Sequence, residues 1–199
     1  MTDTTTLPIT GPELMALRDE LHGNAVARGW WSDLGTGVRA ERNFAELLML
    51  ENTELTEAYE GWLHDHMDDK LPHRQMVEVE LADYVIRALD LSGGFNIDVG
   101  NQWTRTYLEA HEVWSGVGEH AETVFLELFN IGSRTMEAHR KSDSLGVETN
   151  TQSGIALALV FGQSLGLDVL GAIREKAEFN KVRKDHDVAE RLKDGGKKL

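Results

Sequence analysis

Apolar residues recur every three to four positions over most of the chain, and no window alternates apolar with polar residues as a half-buried strand would. Thr10-Gly-Pro-Glu13 opens a series Leu14, Leu17, Leu21 that runs out near Gly29. Asn43-x-x-Glu46 has the form of a capping box around the start of the series Phe44, Leu47, Leu48. Pro72 suits the first turn of a further helix reaching about Leu91, which Gly93-Gly94 should stop. Asp98, Asn150 and Asp168 are each placed to cap another helix. Prolines stand only at 8, 12 and 72, so nothing beyond Pro72 forbids a helix interior. The expected fold is an all-α bundle of about six or seven helices.

A weak internal repeat appears when Leu91–Asp98 is set beside Phe161–Asp168, and Glu57-Ala-Tyr beside Glu137-Ala-His. Each half would be a helical hairpin followed by another helix, and limited turn chemistry could produce the same likeness without duplication. In that register Glu51 and Glu54 face Ile131 and Arg134, which cannot replace them as ligands. The organisation expected is one all-α domain over 1–183, with candidate halves 12–100 and 101–183, then a charged tail over 184–199, in which Asp187–Leu199 reads as a helix end running into a mobile tail.

Glutamates at 51, 54, 57 and 60 repeat every three residues along one helix, so periodicity decides which point inward. At about 100° per residue, Phe44, Leu47, Leu48, Leu55, Ala58 and Trp62 define the apolar face. Glu51 falls at the centre of that stripe and Glu54 on its edge; Glu57 falls outside it and Glu60 on the far side. A carboxylate on an apolar stripe is costly unless neutralised, paired or bound to metal, whereas on a less buried helix the row would be ordinary solvated glutamates. On the next helix Glu80, Asp83, Arg87 and Asp90 form a stripe opposite Val79, Ala82, Val85, Ile86 and Leu89. Glu80 and Asp83 could chelate a hard cation together, or Asp83 and Arg87 could form a plain surface pair.

Composition narrows the chemistry. The 199 residues include no cysteine, which removes thiolate nucleophiles and Cys-ligated zinc and leaves oxygen and imidazole ligands. A net charge of −14 argues against nucleic-acid and anionic-membrane partners. The charge is uneven: residues 171–199 carry nine basic against six acidic side chains, leaving an acidic body with a mildly basic C-terminal end. The longest apolar run, Ile155–Phe161, is far short of a membrane span, and the N-terminus lacks a basic stretch leading into an apolar one, so a cytoplasmic location is expected. Trp30-Trp31 could stack on a base or plug the core. His64 and His66 beside Asp68-Asp69 could bind a transition metal or, as the polar inter-helix setting favours, stand solvated.

Glu51-x-x-Glu54 followed after 25 intervening residues by Glu80-x-x-Asp83, with Lys176-x-x-x-Asn180-x-x-Arg183 downstream, resembles the MazG-like nucleotide pyrophosphohydrolases, members of the all-α NTP pyrophosphatases. Gly29-Trp-Trp31, Asn43-Phe-Ala-Glu46 and the Gly195-Gly-Lys-Lys end are similar to bacteriophage-type members. The resemblance covers about 24–98 and 174–198; between them stand about 75 residues where the KxxxNxxR helix usually follows soon after ExxD. It implies Mg²⁺-dependent hydrolysis, with Mn²⁺ as substitute, of nucleoside triphosphates to monophosphate and pyrophosphate in a homodimer. It also implies Glu51, Glu54, Glu80 and Asp83 as metal ligands, Glu54 as the base, and Lys176, Asn180 and Arg183 on the substrate, with Trp30 and Trp31 as candidates beside them. Two readings compete: a non-catalytic acidic interaction protein, and a family member whose site has decayed. A di-iron carboxylate protein is disfavoured because no glutamate has a histidine three residues on.

Overall fold

In the computed structural model, which describes residues 7–116 and 120–197, the chain is all-helical, and among the described residues the only β pairing is the isolated bridges Ser32/Arg39 and Met67/Gln75 in the loops between helices. The helices are α1 (Gly11–Ala27), α2 (Phe44–His64), α3 (Met76–Gly94), α4 (Trp103–Trp114), α5 (Ala121–Arg140), α6 (Ser144–Ser164), α7 (Val169–Val182) and the short α8 (Val188–Arg191). No single helix among them is long and apolar enough to cross a membrane.

Several helix starts follow the sequence. Thr10 and Glu13 close a capping box on α1, and the Asn43 side chain accepts from Ala45 N and Glu46 N at the head of α2. Asp168 caps α7 by accepting from Gly171 N. Others do not. Asn150 lies inside α6, whose cap is Asp143, accepting from Gly146 N. Both positions carry a capping residue type, and only the packing of α6 on α5 selects between them. Asp98 accepts from Gly100 N and Asn101 N in a turn, and α4 begins after Gln102 in a left-handed conformation. Pro72 lies in the turn before α3, and Gly93-Gly94 form its last turn.

Two hairpins build the core. α2 pairs with α3 and α5 with α6, and the hairpins meet through α2 on α5 and α3 on α6. The helix after each hairpin crosses to the other one: α4 packs on α6, and α7 packs on α3. Some contacts between the hairpins join positions that the candidate repeat sets side by side. In the repeat register Tyr84 stands opposite Gly154 and Asn52 opposite Gly132. A Cβ at Gly154 would lie 2.3 Å from Tyr84 Oη, and one at Gly132 would lie 3.0 Å from Asn52 Oδ1. Tyr59 meets Phe125 edge-on at 5.3 Å, and His139, its counterpart, stacks on Phe44 at 4.0 Å.

α3 is enclosed by α1, α2, α6 and α7, so it buries residues on nearly every side, including Glu78 and Glu80. The C-terminal stretch, expected to be a mobile tail, packs within its described part. Arg191 is fully buried, its guanidinium 3.5 Å from the Trp30 ring centroid and bonded to the carbonyls of Arg28 and Lys197. An arginine with an aromatic face and carbonyl acceptors can anchor a polar segment that apolar patterning does not register. Lys198 and Leu199, part of the expected tail, lie outside the described residues.

Candidate metal and anion site

The rows of acids on α2 and α3 meet where these helices lie side by side. Oxygens of Glu54, Glu57 and Glu80 all fall within 4.8 Å of one another. Glu51, Glu54 and Glu80 are buried at 5%, 5% and 3% exposure, so α2 does not carry an ordinary solvated glutamate row. Burial, then Asp83, then a hydrogen bond with Glu54 push the Glu80 carboxyl up to about 9, against partial relief from Lys176. Burial and Glu54 likewise raise Glu57, with Lys70 and Arg87 opposing. A Glu80 carboxyl pushed up to about 9 marks a cluster short of positive charge, which a divalent cation would supply. The donors are all hard oxygens, the set that Mg²⁺ or Mn²⁺ prefers.

The sequence-derived ligand set is thus partly regrouped. Glu54 and Glu80 join the cluster, together with Glu57, which the periodicity of α2 had placed outside. Its inclusion depends on α3 running along that edge of α2, which one helix's pattern cannot reveal. Glu51 lies toward Arg87, Asp90 and Tyr84; burial raises its carboxyl to about 8. Asp83 pairs with Lys176, whose fully buried Nζ sits 2.7 Å from Asp83 Oδ2, held by charge without a well-aligned hydrogen bond. Asp83 and Arg87 therefore do not form the surface pair that their spacing allowed. Arg87 reaches across to α2, donating Nε to Glu54 Oε1 at 2.5 Å.

Beside this cluster lies a cavity of about 360 Å³ between α1, α2, α3, α7 and the C-terminal stretch. Asp83 and Arg87 belong to its wall and join it to the acids. Leu21, Leu47, Leu50, Ile86, Trp30 and Trp31 supply apolar surface. Six basic side chains also line it, Arg28, Arg42, Arg87, Lys181, Arg183 and Lys197, against the acids Asp83 and Asp90. A chain of net −14 thus concentrates cations around one hollow. Several are held by nearby acids: Arg28 by Asp187, Lys181 by Glu178, and Arg183 and Lys197 by Asp185. Arg42 has no ion pair among the described residues.

Of the substrate residues expected from sequence, Asn180 and Arg183 line the cavity, while Lys176 lies behind it on Asp83. Asn180 Oδ1 and Asn24 Nδ2, both from cavity-lining residues, are buried without hydrogen-bond partners. Trp31 is both core plug and cavity wall. Its Nε1 donates to Asp90, which His22 Nδ1 also meets at 2.8 Å, and its ring presses on Gly94. Trp30 already carries Arg191 over its ring and His186 at its edge, 5.2 Å between centroids. His64, which ends α2, and His66 in the loop after it are exposed, whereas Asp68 beside them is buried. No protein-family model, curated protein or solved structure matches the chain.

Proposed function

We propose that the chain is a divalent-cation-dependent nucleoside triphosphate pyrophosphohydrolase, cleaving between the α- and β-phosphates to give nucleoside monophosphate and pyrophosphate. The observation that carries this reading is the convergence of Glu54, Glu57 and Glu80 beside a cavity that joins aromatic walls to six basic side chains. An acidic cluster alone would bind cations, and a basic hollow alone would bind anions. Together they suit a metal-bound polyphosphate attached to a planar apolar group. The motif resemblance adds the reaction type.

A bound Mg²⁺ would neutralise phosphate oxygens and acidify an attacking water. Glu54 and Glu80 are its principal holders in this reading. Glu57, the exposed member, orients the water and takes its proton; burial and Glu54 raise its carboxyl toward the range useful to a base. That role moves from Glu54, which is buried and salt-bridged. Lys176 keeps Asp83 in place, Arg183 and Lys181 meet phosphate charge, and Asn180 and Asn24 offer unpaired amide atoms to the nucleoside. Because α7 of the same chain supplies Lys176 and Asn180, the reading requires no second copy, although the resemblance implies a homodimer.

The test is pyrophosphate release from a panel of ribo- and deoxynucleoside triphosphates with Mg²⁺, Mn²⁺ or EDTA. Turnover with metal is expected for at least one nucleotide, falling about 10²-fold or more in Glu57→Gln. A folded protein without metal-dependent turnover of any nucleotide defeats the reading in favour of an acidic interaction protein or a decayed site.

A further inference from the structure

Arg87 has no part in the metal and substrate roles assigned above, yet it stands between them. It lies one turn beyond Asp83 on α3, its Nε on Glu54, and its charge also acts on Glu51, Glu57 and Asp83. Two other cations act on the cluster: Lys176 is fully buried and committed to Asp83, and Lys70 is bonded to Asp69. Arg87 differs: its side chain is 40% exposed where that of Glu54 is 7%, and it forms part of the cavity wall. One end of this ion pair is buried in the protein and the other borders the cavity.

A guanidinium and a divalent cation compete for the same carboxylate, because both neutralise it and each repels the other at contact distance. Glu54 is the shared member of both sets, bonded to Arg87 and within 4.8 Å of Glu57 and Glu80 through its oxygens. We propose that Arg87 is a displaceable counter-ion: it neutralises Glu54 in the metal-free protein, yields that carboxylate to the incoming divalent cation, and turns into the cavity to grip a phosphate. The inference rests on the metal-dependent reading and deepens it. A released guanidinium offers a fork of donors matched to phosphate oxygens. Metal and polyphosphate binding are then coupled through one side chain, each favouring the other by the same factor. In the metal-free protein Glu54 is then not left a bare buried carboxylate, because Arg87 neutralises it.

Replacing Arg87 separates the two halves of this role by giving them opposite signs. Mn²⁺ alone, titrated calorimetrically into Arg87→Met, binds about five- to tenfold tighter than into the unaltered protein, because its competitor is gone. Inorganic pyrophosphate titrated at saturating Mg²⁺ binds about tenfold more weakly to the same variant. Arg87→Lys, which keeps a charge without the fork, falls between on both measures and covers the case in which the Met variant does not fold. Mn²⁺ binding by the unaltered protein that is unchanged or weakened in both variants overturns the counter-ion role and leaves the metal reading standing. Absence of Mn²⁺ binding in all three proteins overturns both.

Discussion

Glu51 makes the clearest case at the scale of a single residue, because its position on the apolar stripe of α2 was readable from sequence and its burial sets its proton. Burial raises its carboxyl from the ordinary value of 4.5 to about 8, so the native state holds a proton that the unfolded chain releases. Stability from this group is therefore complete below the lower value and is lost as pH rises toward the upper one. Glu51→Gln, which cannot ionise, should be more stable than the unaltered protein at the top of that window when both are free of metal. The gap should close as pH falls toward 4.5. Denaturant midpoints across this pH range in EDTA measure it, and a gap independent of pH would place the proton elsewhere. Glu57 illustrates the opposite: nothing in its own helix marks it, and only the neighbouring helix brings it to Glu80.

At the scale of elements, helix identity was written in apolar spacing and caps, while helix ends and neighbours were settled by close approach. Gly94 shows this at the end of α3, where a Cβ would lie 1.9 Å from Trp31 Cη2. The indole rests on bare backbone there, a requirement that the Gly-Gly pair alone reads as a mere stop signal. Gly94→Ala should cost about 1–3 kcal/mol and shift the tryptophan fluorescence as Trp31 is displaced from α3. Gly23, within α1, has nothing within 4 Å of its would-be Cβ. Gly23→Ala should therefore stabilise by about 0.5–1 kcal/mol. Thermal denaturation of both variants checks the contrast, and equal effects would mean that Trp31 does not pack as described. The packing of the C-terminal stretch, which does contain the expected helix end Val188–Arg191, is hidden for a related reason. Its charge suggested solvent, but Arg191 is held by the Trp30 face and two backbone carbonyls, contacts that polarity conceals.

Across the whole molecule, the long interval between ExxD and KxxxNxxR has a geometric counterpart. The helix that follows the α2/α3 hairpin, α4, packs on α6, and the helix carrying Lys176 returns from the end of the α5/α6 hairpin to pack on α3. Sequence distance gave no hint of this exchange, because a helix's partner is fixed by which apolar faces remain uncovered once the hairpins meet. In the candidate repeat register the opposite half offers Arg134, Glu137 and Asn150 where the first has Glu54, Glu57 and Glu80, so only Glu57 has an acidic counterpart there. The four acids named from sequence belong to one neighbourhood but do not converge together: Glu54 and Glu80 meet with Glu57, while Asp83 is paired with Lys176 and Glu51 lies beside Arg87 and Asp90.

The claim on which the account turns is that Glu54, Glu57 and Glu80 share a divalent cation, and anomalous scattering from crystals grown with Mn²⁺ tests it most directly. The account predicts a peak between α2 and α3 with bonds from at least two of those carboxylates, and with Arg87 turned away from Glu54. A well-ordered site without such a peak at saturating Mn²⁺, or manganese bound only at acids elsewhere on the surface, would contradict it.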